Sequence, residues 1–266
     1  MADSMMEAEK EAEESPFAIP VNDVGPDAIW RWLRGGWDDV KAAGWVAVAY
    51  GAIFTLGGFA ITGGLALAGM PYLITPMIGG FLLIGPLLAL GLYRISADAE
   101  RGVHPRFIAA LTAWRVNPYH IMTAGLVLML FVMIWARLNV VAFALFFPYV
   151  AMTLGGFLNQ ILTLEGITFS LFVTALGAAF ATVAFVSNVV SLPAMLDRRM
   201  DFFAAAVLSV RVVARNPRVM ALWAAVIVVV TGVGLLTAFI GLCVTLPLIG
   251  CASWRAYREL VAPPPG

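Results

Sequence analysis

The chain has 266 residues, of which 62% are hydrophobic and 12% are charged, and its mean hydropathy is +0.93. Because about a quarter of the residues of a soluble domain are charged, this composition excludes a soluble globular protein. The formal net charge of +0 is unevenly spread: residues 1–27 hold eight acidic residues and one lysine, and the remainder holds fifteen basic and eight acidic residues.

The acidic start of the chain, residues 1–26, is predicted to be a disordered, solvated tail. Docking of this tail on the protein's own basic face, or on a basic partner, stays open as an alternative. Met1 to Glu14 lacks the basic start and apolar stretch of a cleavable signal peptide. The chain is therefore expected to insert through its own first span.

Six stretches are long and apolar enough to cross a bilayer, whose core of about 30 Å requires roughly 20 residues of helix. They are continuously apolar, whereas barrel strands would be shorter and would alternate. The predicted spans cover about residues 43–69, 71–95, 119–136, 166–192, 218–237 and 239–254. The predicted fold class is an all-α membrane protein with six transmembrane helices in three repeated hairpins.

An internal repeat organises these spans. Each unit contains an amphipathic segment, a short break, two apolar spans and an arginine-rich exit. The breaks fall at Ala43-Gly44, Asn117-Pro118 and Asn216-Pro217, and the second span of each pair carries a proline, namely Pro86, Pro193 and Pro247. The repeats cover about residues 27–101, 104–200 and 201–260 of a membrane domain at 27–260, and residues 261–266 are predicted to be a disordered tail.

The segment before each hairpin is predicted to be a cytoplasmic helix lying on the membrane. Apolar faces with tryptophan and arginine at a bilayer margin are typical of interfacial helices. The three faces are Ile29, Trp30, Leu33, Trp37 and Val40; Phe107, Ile108, Leu111 and Trp114; and Phe202, Phe203, Val207, Val210 and Val213. Anchoring within this protein is favoured, and binding of a partner helix is the alternative.

Small residues recur at four-residue spacing in span one and continue in span two. Such a stripe lets helix backbones approach closely in lipid. The predicted helix-packing residues are Ala43, Ala47, Gly51 and Thr55, followed by Gly85 and Ala89. The interface is placed inside the monomer in preference to between subunits. Pro86, Pro193 and Pro247 are predicted to kink their helices; such breaks line binding sites in transporters, or belong to the repeat alone.

Functional groups at membrane depth are scarce. Ser187, Asn188 and Ser191 form one polar patch before Pro193, for which packing between helices is favoured over a ligand site. His104 and His120 are expected to make interfacial hydrogen bonds rather than to bind haem or copper. Cys243 and Cys251 lie about 12 Å apart along one helix and are expected to be unpaired. No catalytic, cofactor-binding or metal-binding residue is predicted.

The outer segment from Leu138 to Glu165 is unusually apolar for a loop. It is expected to dip into the outer leaflet, or to lie along it, as short helices that cap the bundle or meet a partner. The more specific alternative is that this segment forms a substrate vestibule.

Charge placement predicts the orientation. Of sixteen basic residues, only Arg137 falls on the far side of the six spans. The positive-inside rule therefore places both termini in the cytoplasm.

The entry sequence from Ile29 to Asp39, followed by Tyr50-Gly51, Gly85-Pro86 and Tyr93-Arg94, resembles a bacterial family of predicted integral membrane proteins, domain of unknown function 2189. The likeness extends over nearly the whole chain after the acidic tail. Some members carry the label of cytochrome c oxidase proteins, and with two histidines this chain lacks the ligands of a catalytic subunit. The resemblance implies a bacterial inner-membrane setting and supplies no active-site residues.

The leading hypothesis is a non-enzymatic membrane component that assists, scaffolds or assembles a larger complex, of which a respiratory complex is one candidate. The alternative is a transporter of small molecules or lipids. The expected partners are the lipid bilayer and either another membrane protein or a second copy of the chain, with no nucleic acid. A transporter predicts that the polar patch and the kinks line one cavity, whereas a scaffold predicts a packed interior with exposed interfacial faces.

Overall fold

A computed structural model of the chain describes residues 19–70, 73–147, 163–198 and 200–263. The regular elements in these ranges are helical. They are α1 (Ala28–Ala43), α2 (Trp45–Leu67), α3 (Ile74–Leu88), α4 (Leu90–Glu100), α5 (Phe107–Leu111), a 3-10 helix (Ala113–Val116), α6 (Pro118–Phe146), α7 (Leu164–Asn188), α8 (Ser191–Arg198), α9 (Phe202–Arg215), α10 (Pro217–Leu236) and α11 (Leu242–Leu260).

Five helical stretches are long and apolar enough to cross a membrane, which confirms the all-helical membrane class. They are Trp45–Leu67, Pro76–Glu100, Pro118–Phe146, Leu164–Arg198 and Pro217–Leu236. Much of their surface is uncovered, since only 17% of the most apolar window of the third and 11% of that of the fourth are buried. Apolar side chains left uncovered along a long helix are what a lipid environment accommodates.

The sixth predicted span, residues 239–254, overlaps α11 from Leu242 onward, and α11 is not among these five stretches. Hydropathy does not single it out because its last turns carry Arg255, Arg258 and Glu259. The first part of α11 is apolar, and Pro247 lies inside the continuous helix.

The third span is longer than predicted. Its expected end at residue 136 is wrong, because α6 continues to Phe146. Arg137 does not end the helix, and the side-chain amide of Asn139 donates to the Trp135 carbonyl at 2.8 Å, so these polar residues are accommodated within the helix. The expected outer segment therefore begins as part of α6, and its residues 148–162 lie outside the described part of the chain.

The chain divides into two compact units. Unit 1 comprises the residues up to Thr55, Pro86–Ala124 and the residues from Phe185 onward. Its core contains large aromatic side chains that are almost fully buried, among them Trp32, Trp223, Trp254 and Tyr257. The rings of Trp32 and Trp223 meet edge to face, with centroids 5.4 Å apart.

Unit 2 comprises Leu56–Gly85 and Gly125–Ala184, and it contains parts of α2, α3, α6 and α7. Phenylalanines dominate its contacts: Phe131 and Phe180 have ring centroids 4.5 Å apart, and Phe169 meets Phe143 at 5.8 Å and Phe147 at 5.3 Å. In sequence terms unit 2 holds only two charged residues, Arg137 and Glu165. The remaining charges of the chain belong to unit 1.

The three prolines stand in different helical contexts. Pro86 lies inside α3, which ends two residues later, before α4 begins at Leu90. Pro193 is the third residue of α8. Because proline has no N–H to donate to the carbonyl four residues earlier, it leaves the Val189 carbonyl without its helical partner, and residues 189 and 190 form a turn between α7 and α8.

Candidate functional site

Ten charged and polar residues of unit 1 form hydrogen bonds and ion pairs that join four helices. We call this group the polar cluster, and its members are Asp39 of α1, Ser96 and Glu100 of α4, Asp197 and Arg198 of α8, and Trp254, Arg255, Tyr257, Arg258 and Glu259 of α11. The C-terminal turns of α11 supply half of these side chains. They face acids that lie more than 150 residues away in α4 and more than 200 residues away in α1.

Asp39 is the most buried acid of the polar cluster, with 3% of its surface exposed. Its carboxylate accepts a hydrogen bond from the Ser96 hydroxyl and two from the Arg255 guanidinium, one of them from Nε at 2.8 Å. The hydrogen bonds to Asp39 raise the pKa of Arg255, although partial burial opposes the rise. A buried carboxylate held by a paired arginine and a hydroxyl is fully satisfied.

Arg258 connects two further acids. Its guanidinium donates to Glu100 at 3.1 Å and to Asp197 at 3.3 Å. Glu100 also accepts from the Trp254 indole N–H at 3.0 Å, and Asp197 accepts from the Tyr257 hydroxyl at 2.8 Å. Burial raises the pKa of Tyr257, and the charge of Asp197 raises it further. These contacts fix α4 and α8 to the end of α11.

The last acid of α11, Glu259, binds α1. It accepts from the indole N–H of Trp32 at 2.8 Å and from the guanidinium of Arg31. Arg31 also pairs with Asp27, and its hydrogen bond lowers the pKa of Asp27. The carboxylates of the polar cluster thus act as joints between helices.

The described start and end of the chain lie side by side. The N–H of Asn22 donates to the Leu260 carbonyl at 2.8 Å, and the N–H of Ala262 donates to the Pro20 carbonyl at 3.2 Å. Val21 and Val261 form an antiparallel bridge between these two bonds. Residues that the sequence assigns to two tails are therefore bound to each other in this part of the chain; residues 1–18 and 264–266 lie outside the described part.

The asparagine at each Asn-Pro break binds backbone that leads into an amphipathic helix of another repeat. Asn216 accepts from the Val24 N–H and donates to the Asn22 carbonyl, both at 3.0 Å, just before α1. Asn117 donates to the Met200 carbonyl at 2.9 Å, just before α9. The first repeat has Ala43-Gly44 at this position, and there the Trp45 ring lies 6.0 Å from Phe107, which begins α5.

The polar patch predicted in span four lies at the junction of α7 and α8. Asn188 and Ser191 are 5% and 0% exposed, and the Asn188 amide donates to the Ser187 hydroxyl at 2.9 Å. Ser209 of α9 accepts from the Val190 N–H at 3.2 Å and donates to the Val186 carbonyl at 2.7 Å. Within the described residues the Ser191 hydroxyl has no hydrogen-bond partner.

The predicted helix-packing residues differ in how closely other helices approach them. Ala43, Ala47 and Thr55 are buried, and the Thr55 hydroxyl donates to the Phe239 carbonyl at 2.8 Å. A Cβ added at Gly51 would lie 2.8 Å from the Cα of Cys243, so α2 and α11 meet at backbone distance there. Ala89 is 8% exposed, whereas a Cβ at Gly85 would meet no atom within 4 Å.

The residues predicted to form one apolar face of α1 do not all have the same environment. Ile29 and Val40 are buried, but Trp30 and Trp37 are 75% and 43% exposed. The buried side centres on Trp32, Gly36 and Asp39 because α11 approaches closely there: a Cβ at Gly36 would lie 2.6 Å from the Ala252 nitrogen. Large apolar side chains are exposed on the other two amphipathic segments as well, namely Ile108, Leu111, Trp114, Phe203, Val207 and Val210.

The histidines and cysteines are dispersed. His104 is exposed, and Nδ1 of His120 accepts from the Phe202 N–H at 3.4 Å. Cys243 and Cys251 are both free, and the Cys243 sulfur lies 3.3 Å from the Thr55 hydroxyl. In the described ranges no group of three or more His, Cys, Asp or Glu residues is placed to hold a metal ion.

The sequence analysis missed the polar cluster. Asp39, Glu100, Asp197 and Glu259 lie at helix ends where charged residues are ordinarily solvated. One signal was available: a tryptophan or tyrosine stands close to an arginine in Tyr93-Arg94, Trp254-Arg255 and Tyr257-Arg258, and such pairs are suited to partly buried ion pairs.

These observations define the class of protein. Apolar helices long enough to cross a bilayer, with little of their surface buried, and charges concentrated in one unit make this a helical integral membrane protein.

The family prediction is confirmed over the central part of the chain. Residues 74–197 match the model of a family described as predicted integral membrane protein, domain of unknown function 2189. The match is shorter than the resemblance suggested, since it includes Gly85-Pro86 and Tyr93-Arg94 but not the entry sequence from Ile29 to Asp39. No curated protein and no solved structure matches the chain significantly.

Proposed function

We propose that this protein is a non-enzymatic component of the bacterial inner membrane that assists, scaffolds or assembles a larger membrane complex, such as a respiratory one. The observation that carries the proposal is a contrast within unit 1. The acids of the polar cluster bind other helices of the same chain, whereas large apolar side chains of the amphipathic segments, including Trp30, Ile108 and Phe203, are exposed. The acids of the polar cluster stabilise the fold, and the exposed apolar side chains are free to contact lipid or a partner protein.

The polar cluster supports a structural role because of what its acids bind. A catalytic acid or base must reach a substrate proton. Asp39 is 3% exposed and already accepts from Ser96 and Arg255, and Asp197 accepts from Tyr257 and Arg258. Removing one member of such a buried pair is expected to destabilise the fold.

A six-span layout of three hairpins is part of the proposal, and the contacts of the last hairpin support it. Asn216, at the start of α10, binds Asn22, and Leu260, at the end of α11, also binds Asn22. Both ends of the hairpin therefore lie at the same depth relative to the membrane, so the hairpin crosses the membrane twice or not at all. At 1.5 Å per residue the 20 residues of α10 span about 30 Å, which favours two crossings.

The other two hairpins close in the same way. The first is preceded by α1, and its second span, Pro76–Glu100, ends with α4, whose Ser96 binds Asp39 of α1. The second begins at Asn117 and ends beyond α8, where the Asn117 amide binds the Met200 carbonyl. Three hairpins that each begin and end at one level give an even number of crossings. Because the charges are concentrated in unit 1, the positive-inside rule supports a cytoplasmic position for both termini.

Purification tests the function. The tagged protein is isolated from native membranes in mild detergent, and the sample is analysed by mass spectrometry and visible absorption. The proposal predicts stoichiometric membrane subunits, with a haem band if the complex is respiratory. A partner-free, colourless preparation at native abundance would contradict it.

A transporter remains the second candidate because of one observation. The fully buried Ser191 hydroxyl lacks a partner in the described residues, and Ser191 stands three residues after Asn188 and two before Pro193. Asn188→Leu separates the two roles: normal membrane abundance with lost function would favour a ligand site, whereas lost abundance would favour helix packing. Thr182→Ala is the matched control, since Thr182 lies in the same helix outside the patch and its hydroxyl donates to the Ala178 carbonyl of that helix at 2.8 Å.

A further inference from the structure

The connection between α4 and α6 carries arginines that form no ion pair with any acid of the described residues. Arg101 follows the last residue of α4, Arg106 precedes α5, and Arg115 lies in the 3-10 helix; all three are exposed. The sequence contains no Asp or Glu between Glu100 and Glu165. Other basic residues of unit 1 form ion pairs, including Arg31, Lys41, Arg94, Arg215, Arg255 and Arg258.

The nearest acids along the chain are already engaged. Asp98 pairs with Arg94 at 2.9 Å, and Glu100 accepts from Trp254 and Arg258. No described acid is therefore paired with the three arginines. The positive charge of this connection is left for a group outside the described chain.

The same connection exposes a set of large apolar side chains. Their exposed fractions are 53% for Val103, 67% for Ile108, 40% for Leu111, 40% for Trp114 and 75% for Tyr119. The Arg115 guanidinium lies 5.5 Å from the centroid of the Trp114 ring. A surface that combines free cations with aromatic and aliphatic side chains fits the boundary between lipid headgroups and acyl chains.

We propose that residues 101–119 form a binding surface for anionic phospholipid, with the headgroup phosphate on Arg101, Arg106 and Arg115 and the apolar side chains at the acyl boundary. The equivalent surfaces differ. Asp27, just before α1, pairs with Arg31, Asp38 of α1 pairs with Lys41, and Asp23 pairs with Arg215 of α9. Arg34 and Arg218 also lack a described ion pair, but each stands singly. The second repeat therefore carries the largest group of such arginines.

Native mass spectrometry of the detergent-purified full chain tests this surface, with phosphatidylglycerol and phosphatidylcholine as probes. Each arginine near an anionic headgroup is expected to contribute about fivefold. The triple variant R101Q/R106Q/R115Q should bind phosphatidylglycerol at least about tenfold more weakly. The triple variant R34Q/R137Q/R218Q removes the same charge from three different helices, α1, α6 and α10. Because these arginines do not share one surface, this variant should lose clearly less phosphatidylglycerol binding than the first.

Several outcomes would overturn the proposal. They are equal binding of the two lipids by the wild type, an equal loss in both triple variants, and selectivity that appears only after residues 1–18 are deleted, which would make the acidic tail the occupant. Thermal melting confirms that each variant is folded. If the first triple variant does not fold, R115Q alone should still lower phosphatidylglycerol binding about fivefold, and unchanged binding would refute the surface.

Discussion

The N–H of Asn22 donates to the carbonyl of Leu260 at 2.8 Å, so the entry to α1 and the exit of α11 form one short antiparallel pairing. Asn216 binds the same residue from the start of α10. The backbone segment that leads into α1 is therefore bound to both ends of the last hairpin.

This pairing predicts a crosslink. Val21 and Val261 face each other between two flanking hydrogen bonds, and residues in such a non-hydrogen-bonded pair have Cα atoms about 4.5 Å apart, within reach of a disulfide. Val21→Cys with Val261→Cys, in a background where Cys243 and Cys251 are alanine, should form an intramolecular disulfide on mild oxidation. Peptide mass spectrometry detects it; two free thiols in folded, oxidised protein would contradict the pairing.

Asp39→Asn should be strongly destabilising. It removes the charge opposite Arg255, whose side chain is 30% exposed, and breaking a buried pair costs about 3–5 kcal/mol. Because Arg255 remains partly exposed to solvent, we expect the free energy of unfolding to fall by about 2–4 kcal/mol. Thermal or denaturant unfolding in detergent measures this change.

Asp38→Asn is the matched control. Asp38 neighbours Asp39 in α1 and pairs with Lys41 at 2.8 Å, but its side chain is 59% exposed. The hydrogen bond from Lys41 lowers the pKa of Asp38, so the stability that the pair provides is present above the unfolded pKa and disappears as the pH falls through the folded value, below about pH 4. At neutral pH the melting temperature should barely change, and equal effects of the two substitutions would refute the assigned role of Asp39.

Gly51→Ala should lower stability and membrane abundance. The new Cβ would lie 2.8 Å from the Cys243 Cα and 2.9 Å from the Leu242 carbonyl, and backbone atoms cannot move aside without shifting α11. Overpacking of this kind costs about 1–3 kcal/mol. Gly85→Ala has open space and should be neutral or slightly stabilising. Equal tolerance of both substitutions would place the close contact elsewhere.

Asn216→Ala should cost about 1–3 kcal/mol because it leaves the Val24 N–H and the Asn22 carbonyl without their partner. Asn139→Ala is its control, since the described hydrogen bond of the Asn139 amide is to the Trp135 carbonyl of its own helix. Unfolding in detergent measures both. A larger effect at Asn139 would argue against Asn216 as the joint between the first and third repeats.

Hydropathy was sufficient to predict the helices that cross the membrane because lipid imposes a simple rule on length and apolarity. It was insufficient for α11, because this helix has an apolar first part, which packs against α2, and a charged last part, which binds acids of α1, α4 and α8. The pairs Asp39 with Arg255 and Glu100 with Arg258 join residues far apart in sequence. An aromatic residue beside each arginine marks one partner of each pair, but a single sequence does not identify the acid that it binds. The outward turn of Trp30 and Trp37 likewise depends on the close approach of Gly36 to Ala252, which the apolar pattern of α1 does not encode.

The most direct test of the hairpin account is to map the membrane side of three sites in one protein: the N-terminus, the C-terminus and the turn between α10 and α11, with reporter tags at each. The account predicts that both termini lie on one side and that the turn, near Ala238, lies on the other. A turn on the same side as the termini, or termini on opposite sides, would contradict the six-span arrangement.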